Sequence, residues 1–400
     1  MRPRARSLGD LVPLIATIGR PSLRFHPMGC SKSLLSLPSA LSALALGISL
    51  SAFGSADPTD PKPADSQPTE AAAPATASTA TDAVSKPADT PSAPSSVSTV
   101  DPALALYTRS SGVTGSIKSV GSDTMNNLMT LWSEGFKQIY PNVRAEIEGK
   151  GSSTAPPALI AGTATFGPMS RDMKSSEIDA FEKRYGYKPV LLPAAIDMLA
   201  VYVHRDNPIR GLTLAELDAI YSQNRKGGER RDIHTWGELN LGGDWQGRNV
   251  SLYGRNAASG TYGYFKERAL FGGDFKALVK ELPGSSSVVQ AVAADQYGIG
   301  YSGIGFATAG VRAAPLAVNA SSPYVPPEAR FALGGEYPLS RFLWIAVNYK
   351  PGSQLDPLRA QFIRYVYSRQ GQSDVVKDGY YPVTPEIAAK ALSSVGLAGE

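Results

Sequence analysis

The sequence predicts an α/β protein of two lobes, each a mostly parallel sheet flanked by helices, with a cleft between them. Three observations predict it. Strand-like and helix-like patterns alternate from about residue 112 onward. Gly/Ser/Thr-rich loops follow the early strands and precede the early helices. Two apolar runs, residues 190–203 and 342–349, are placed to carry the chain from one lobe into the other and back. An order of strand, helix, strand with loops of this kind implies parallel strands with covered faces.

The elements follow in order. Residues 115–120 read as a strand. Residues 125–140 read as a helix, with Met125, Leu128, Trp132, Phe136 and Ile139 on one face at helical spacing. Val143, Ala145 and Ile147 alternate as a strand does. After the turn at residues 149–154, Pro156 and Pro157 suit the first turn of a helix. Residues 164–169 form a third strand and 176–185 a third helix. The run 190–203 is too long for one ordinary strand. Lobe two then holds a helix at 214–221, a strand at 250–253, a loop around Arg255, helices at 262–270 and 288–295, and a strand at 298–301. The run 342–349 returns the chain, and helices at 357–368 and 385–393 close it. The expected boundaries are 113–199 for the first part of lobe one, 200–340 for lobe two and 341–400 for the return.

The chain has 400 residues, but its first part is of another kind. Residues 34–53 are apolar and small, Lys32 precedes them, and Gly54-Ser55-Ala56 resembles a cleavage site. This is the pattern of a secretory signal, starting near Met28, rather than of a membrane span. Residues 1–56 are therefore read as leader and signal. They hold six Lys/Arg and one acid, so of the net +4 only −1 belongs to the remainder. No basic field for nucleic acid remains. The single cysteine, Cys30, lies ahead of the apolar core, which excludes disulfides and thiolate metal sites from the mature chain. Residues 57–112, rich in Pro, Ala, Ser, Thr and Asp, cannot bury enough apolar surface to offset their ordering entropy, and read as a disordered tether.

The most informative segment is Tyr253-Gly-Arg255-Asn-Ala-Ala-Ser259-Gly260-Thr261, ahead of a helix. It joins a fixed guanidinium, short hydroxyls and the free N–H groups of a helix start, the parts that a buried oxyanion needs. Taken alone it is also an ordinary strand-to-helix turn. Three further loops stand at the ends of strands: Gly121-Ser122-Asp123-Thr124, Gly151-Ser152-Ser153-Thr154 and Met169-Ser170-Arg171-Asp172. In an open α/β sheet ligands bind at that edge. Together the four loops form a constellation for one anion. Gly298-x-Gly300-x-x-Gly303 matches the dinucleotide fingerprint by eye, but no acid stands about 20 residues on, and it is set aside.

These loops, with Gly298-Ile-Gly-Tyr301, resemble the substrate-binding protein of phosphate ABC transporters, the PstS-like family of the type II periplasmic-binding-protein fold. The resemblance spans residues 115–392. It implies inorganic phosphate as the ligand, a membrane permease as partner, export to the periplasm or beyond, a monomer, and neither cofactor nor catalysis. It places Asp123, Thr124, Ser152, Arg255, Ser259, Gly260 and Thr261 at the anion, and the reading of the loops adds Ser122, Ser153, Ser170 and Arg171 as candidates. Two departures stand out. Many members carry an acid where this chain has Arg171, and well-known ones carry another where it has Ala257. Asp123 is then the carboxylate left to accept the ligand's proton and repel sulfate, although it also suits the N-cap of the helix that follows. Arg171 reads as a second cation at the anion, or as the partner of a neighbouring acid such as Asp172.

Other classes are weaker. Beyond residue 56 only His204 and His234 remain, in different contexts, and neither belongs to a metal-ligand pattern. Ser259 has no base beside it in the sequence. Trp132, Trp236, Trp245 and Trp344 read as packing. A weak phosphomonoesterase using the same pocket and a surface module carried on the tether are the alternatives.

Overall fold

The computed structural model describes residues 99–398, all within one compact unit. The leader, the signal and residues 57–98 of the expected tether lie outside the described residues. Residues 99–112, also assigned to the tether, pack on the fold instead. Leu104 is buried in the main core, and Tyr107 lies edge-on to Phe136 and Tyr365. The Ala105 carbonyl accepts from Arg369 N at 2.8 Å. Leu104, Tyr107 and Val100 pack against the main core and anchor the stretch.

The first elements are β1 (Gly115–Val120), α1 (Asn126–Ile139), β2 (Val143–Glu148), α2 (Ala155–Ala161), β3 (Gly167–Met169) and α3 (Ser175–Tyr185). β1 and β2 pair in parallel, and Ser119 bridges Phe166 just before β3. α1 forms because its apolar positions recur at helical spacing, and it buries Leu128, Met129, Trp132 and Phe136. Met125 is buried in the short 3-10 turn that leads into it. α2 starts within Ala155-Pro156-Pro157, where prolines cost no hydrogen bond, and ends at Gly162 in the left-handed region.

The long run becomes β4 (Val190–His204), one strand of 15 residues. Then come β5 (Leu212–Thr213), α4 (Leu214–Tyr221), β6 (Ser251–Arg255), α5 (Gly260–Arg268), β7 (Lys280–Leu282), α6 (Ser285–Ala294), β8 (Gly298–Gly303), β9 (Val311–Ala313) and β10 (Leu316–Ala317). Thr213 caps α4 in a reciprocal box with Glu216, 3.1 Å and 2.8 Å. The chain returns through β11 (Ser340–Val347) to α7 (Pro357–Val366), α8 (Arg369–Lys377) and α9 (Pro385–Ser394).

β4 joins the two lobes. Its first part pairs with β11, Val190 to Met198, and its second with β8, Leu199 to Val203. The resulting order is β3-β11-β4-β8-β6-β7, with β9 also on β4. The outer pairs, β6 with β7 and with β8, are parallel, as in β1 with β2. The pairs made by β4 and β11 are antiparallel, because one of these strands leaves lobe one while the other re-enters it. Separate cores lie on the two sides. One holds Trp132, Phe136, Phe166 and Phe362, the other Tyr221, Trp236, Phe265 and Tyr301.

The set-aside glycine run is β8 itself, not a turn into a helix. A Cβ on Gly300 would lie 2.7 Å from Val288 and 2.8 Å from Val292, so this glycine lets α6 lie close on the sheet. α8, β7 and β9 carry no pattern strong enough to predict.

Candidate functional site

Four strand ends converge where the lobes meet. β1 delivers Ser122, Asp123 and Thr124. The loop after β2 delivers Ser152 and Ser153. β3 delivers Ser170 and Arg171, and β6 delivers Arg255 and the turn to α5. Backbone bonds hold the first three loops together: Gly121 N to the Glu148 carbonyl at 2.9 Å, Gly151 N to that of Gly121 at 2.8 Å, and Ser122 N to that of Pro168 at 2.8 Å. Ser153 N crosses to the Ala258 carbonyl of the other lobe at 3.1 Å. Gly151 has φ 115°, and a Cβ there would stand 2.4 Å from that same carbonyl. Gly260 is tighter still, with a Cβ position 2.2 Å from Ser152 Oγ and 2.7 Å from Ser170 Oγ. The lobes meet this closely because two glycines face each other's loops.

Ser122, Thr124, Ser152, Ser170, Arg255, Ser259 and Thr261 are all buried. Their hydroxyls bond to one another, within lobe one and, at Thr124 and Thr261, between the lobes. Ser122 Oγ donates to Ser170 Oγ at 3.0 Å, Ser170 and Ser152 Oγ lie 3.3 Å apart, and Thr124 and Thr261 Oγ1 lie 3.0 Å apart.

The polarity of these hydroxyls is the informative feature. Ser152 Oγ accepts from Ser170 N at 3.0 Å, and Ser259 Oγ, the N-cap of α5, accepts from Thr261 N at 3.1 Å and Tyr262 N at 3.4 Å. Thr261 Oγ1 accepts from Arg341 Nη2 at 3.0 Å, and Ser285 Oγ from Arg255 Nη1 at 2.6 Å. An oxygen that accepts from a fixed N–H directs its own proton elsewhere. Ser152, Ser259 and Thr261 are thus left with protons to offer a ligand, whereas Ser285 gives its own to Asp123. Such a set suits a ligand that only accepts, an oxyanion above all.

Arg255 is 1% exposed. It donates to the Pro283 carbonyl at 3.0 Å and meets Asp123 Oδ2 at 3.1 Å, across the lobe boundary. Burial pushes its guanidinium below the usual value, and Asp123 opposes that shift. Its Nε is buried and finds no hydrogen-bond partner among the described residues. Asp123 does not cap its own helix. Its Oδ2 accepts from Ser285 N at 2.8 Å and Ser285 Oγ at 2.9 Å, at the start of α6 in the other lobe.

Arg171 is held by a carboxylate, but not by Asp172. It takes Glu177 six residues on, at 2.6 Å and 2.8 Å, and gives Asp172 only a bond to its carbonyl. Burial works against ionisation of Glu177, yet the bonds from Arg171 and Lys174 N hold its carboxyl below the usual range. Arg171 reaches the loops at Ser153 Oγ, 3.3 Å away.

Sequence reasoning missed Ser285, Arg341 and Asp197. Arg341 and Asp197 are cross-strand partners on β11 and β4, 2% and 0% exposed at the side chain. Arg341 meets Asp197 Oδ2 through Nε at 2.9 Å and Nη2 at 2.7 Å, and donates from Nη1 to the Ser170 carbonyl at 2.7 Å. One signal could have found the pair: an aspartate inside the apolar run 190–203 has to be compensated by a cation. His204 and His234 lie apart from these loops, each beside an aspartate, Asp206 and Asp232. Among the described residues no cluster of three His, Cys, Asp or Glu could hold a metal ion, and no helix is long and apolar enough to cross a membrane.

Comparison with known proteins agrees with this architecture. The PBP superfamily domain matches residues 76–370. The phosphate-binding protein PstS of Pseudomonas aeruginosa is 54% identical over 305 residues, covering 76% of this chain and 94% of that protein. A Clostridium perfringens substrate-binding protein of a phosphate ABC transporter, solved with bound phosphate, has 26% identity and a TM-score of 0.57 over 68% of this chain and all of its own. A phosphate transport receptor from Vibrio cholerae shares the fold at 23% identity and a TM-score of 0.52, over 67% of this chain and all of its own. The chain belongs to the PBP superfamily and, within it, to the family of the phosphate-binding protein PstS.

Proposed function

We propose that this chain is an exported solute-binding protein that captures inorganic phosphate between its lobes and delivers it to a membrane ABC permease. It is a binding protein, not an enzyme. The observation that carries the reading is that Ser152, Ser259 and Thr261, drawn from both lobes around the buried Arg255, accept from fixed N–H groups and so keep their protons for a ligand. The relative with 54% identity is itself a phosphate-binding protein.

In this reading Arg255 supplies the charge. Ser122, Thr124, Ser152, Ser170, Ser259 and Thr261 supply hydroxyl donors, and Gly260 supplies close backbone approach. Ser153 and Arg171 frame the rim, where Glu177 already answers the arginine's charge. Asp123 accepts the proton of the hydrogen phosphate dianion and repels sulfate, which has no proton to give. Residues 113–199 with 341–400, and 200–340, move as two bodies about the crossing strands, closing on the ligand and dehydrating it. The protein works as a monomer without a cofactor, binds no nucleic acid, and reaches the periplasm or the exterior through its signal.

Calorimetric titration tests the reading. The protein is unfolded and refolded to strip carried-over anion, then titrated with phosphate and afterwards with sulfate. Tight one-site binding of phosphate without sulfate heat is expected. Absence of heat with phosphate would overturn the reading.

A further inference from the structure

The Arg341–Asp197 pair lies where the lobes join and is committed to more than fold stability. On β4 the pairing partner changes from β11 to β8 directly after Met198, so Asp197 stands at the waist of the molecule. Its Oδ1 accepts from Ile304 N, just beyond the end of β8, at 3.0 Å. Its Oδ2 holds the Arg341 fork. Tyr202, Tyr337 and Tyr380 surround it, and burial together with the Asp197 charge raises their phenols far above the usual value, so they stay neutral. The carboxylate thus fixes the orientation of one guanidinium in a dry setting.

That guanidinium lies over the Tyr264 ring and has two further hydrogen bonds, one in each lobe. Nη1 takes the Ser170 carbonyl at the end of β3, and Nη2 takes Thr261 Oγ1 in the first turn of α5. The Thr261 contact also sets a proton. Arginine only donates, so Thr261 Oγ1 must accept, and its own hydrogen turns toward Thr124 Oγ1 or a ligand oxygen. The Ser170 contact steadies the residue whose N–H does the same for Ser152.

We infer that Arg341 is a positioning residue of the anion site: a strut at the waist that bonds to both lobes when they are shut and makes Thr261 a donor to the ligand. Asp197 holds the strut in place. The inference rests on the functional reading above. The strut acts on the closed form alone, because Asp197 and Arg341 are neighbours on adjacent strands in any state, whereas Ser170 and Thr261 belong to different lobes. Loss of the strut therefore speeds release of the ligand and leaves its capture rate nearly unchanged.

Removing Arg341 alone would strand Asp197 and confuse binding with folding. The test therefore uses Asp197→Asn with Arg341→Gln, a neutral pair of similar size, beside the parent protein. Phosphate affinity is read by calorimetry and the two rate constants by stopped flow. Urea unfolding of the stripped protein is the control. The expected result is an affinity about tenfold or more weaker, carried by a faster dissociation rate, in a protein that still folds cooperatively. Arg341→Lys over native Asp197 keeps the charge without the fork and should fall between the two. A double variant with the parent's affinity and dissociation rate would overturn the inference and leave the phosphate reading standing. A double variant that fails to fold passes the decision to Arg341→Lys, where an unchanged dissociation rate overturns it. A parent that binds no phosphate removes both.

Discussion

Two arginine–aspartate pairs border the same site, and they differ in what they join. Arg255 and Asp123 come from different lobes and meet through loops, with the Asp123 side chain 25% exposed. Arg341 and Asp197 come from adjacent strands and are almost wholly buried. The first pair exists only when the lobes are together. The second is part of the hinge itself. An ion pair that spans moving parts can exchange partners with a ligand, whereas one sealed between strands is held at the cost of desolvating both charges and breaks only with the fold.

Breaking each pair at its arginine separates these roles most strongly. Arg341→Met leaves Asp197 in a dry site with Ile304 N as its remaining donor. We expect a loss of about 3–5 kcal/mol in unfolding free energy. Arg255→Met leaves Asp123 partly in water and still bonded to Ser285, and should cost about 1 kcal/mol or less of stability while abolishing phosphate binding at micromolar concentrations. Urea titration of the stripped proteins measures the first difference and calorimetry the second. Equal stability losses would erase the distinction.

A wedge tests closure without touching a charge. Gly260 has an ordinary helical backbone, so Gly260→Ala suits α5, but the new methyl meets Ser152 and Ser170 as the lobes shut. Phosphate affinity should fall roughly tenfold to 100-fold. The melting temperature of the stripped protein should hold or rise slightly. Undiminished affinity would mean that the lobes close without these loops meeting.

Exchanging the carboxylate that spans the lobes has a smaller effect. Asp123→Asn retains an acceptor for Ser285 and removes the repulsion of sulfate. Calorimetry should then show sulfate heat, with phosphate weakened by about tenfold. Continued silence toward sulfate would move the discrimination to another group.

The legibility of this molecule follows the range of its interactions. α1, α4, α7 and α9 could be read because their apolar spacing, caps and prolines are local. The loops could be read because glycine, serine and arginine at strand ends carry a meaning that needs no partner. Arg171 could not be assigned from its neighbours, because its partner Glu177 lies one loop and one helical turn away. The Asp123 contact to Ser285 spans 162 positions, and nothing local in either segment announces it. Arg341 was hidden for the same reason: its meaning depends on register between β11 and β4. Charge inside an apolar run was the readable half of that pair.

Asp378 is a further acid near the waist. It follows α8, accepts a short bond from Asn127 Nδ2, and lies within reach of the Asp197 charge. Burial raises its carboxyl from 3.8 to about 6, Asn127 opposes that, and Asp197 adds to it. An acid raised in the folded state binds more protons there than in the unfolded chain, so its contribution to stability falls as pH rises from about 4 to about 6 and then stays level. Glu177, held low, has the opposite sign: its contribution is full above its unfolded value and is lost as pH falls through the folded one. The two effects overlap, so the informative quantity is the difference between Asp378→Asn and the parent. The variant should gain on the order of 1 kcal/mol relative to the parent between pH 4 and pH 7, since partial exposure screens the full shift. Urea unfolding at the two pH values measures it. If Asp197 contributes as its position implies, the gain should shrink when the same substitution is made over Asp197→Asn with Arg341→Gln, because the neighbouring charge is then gone.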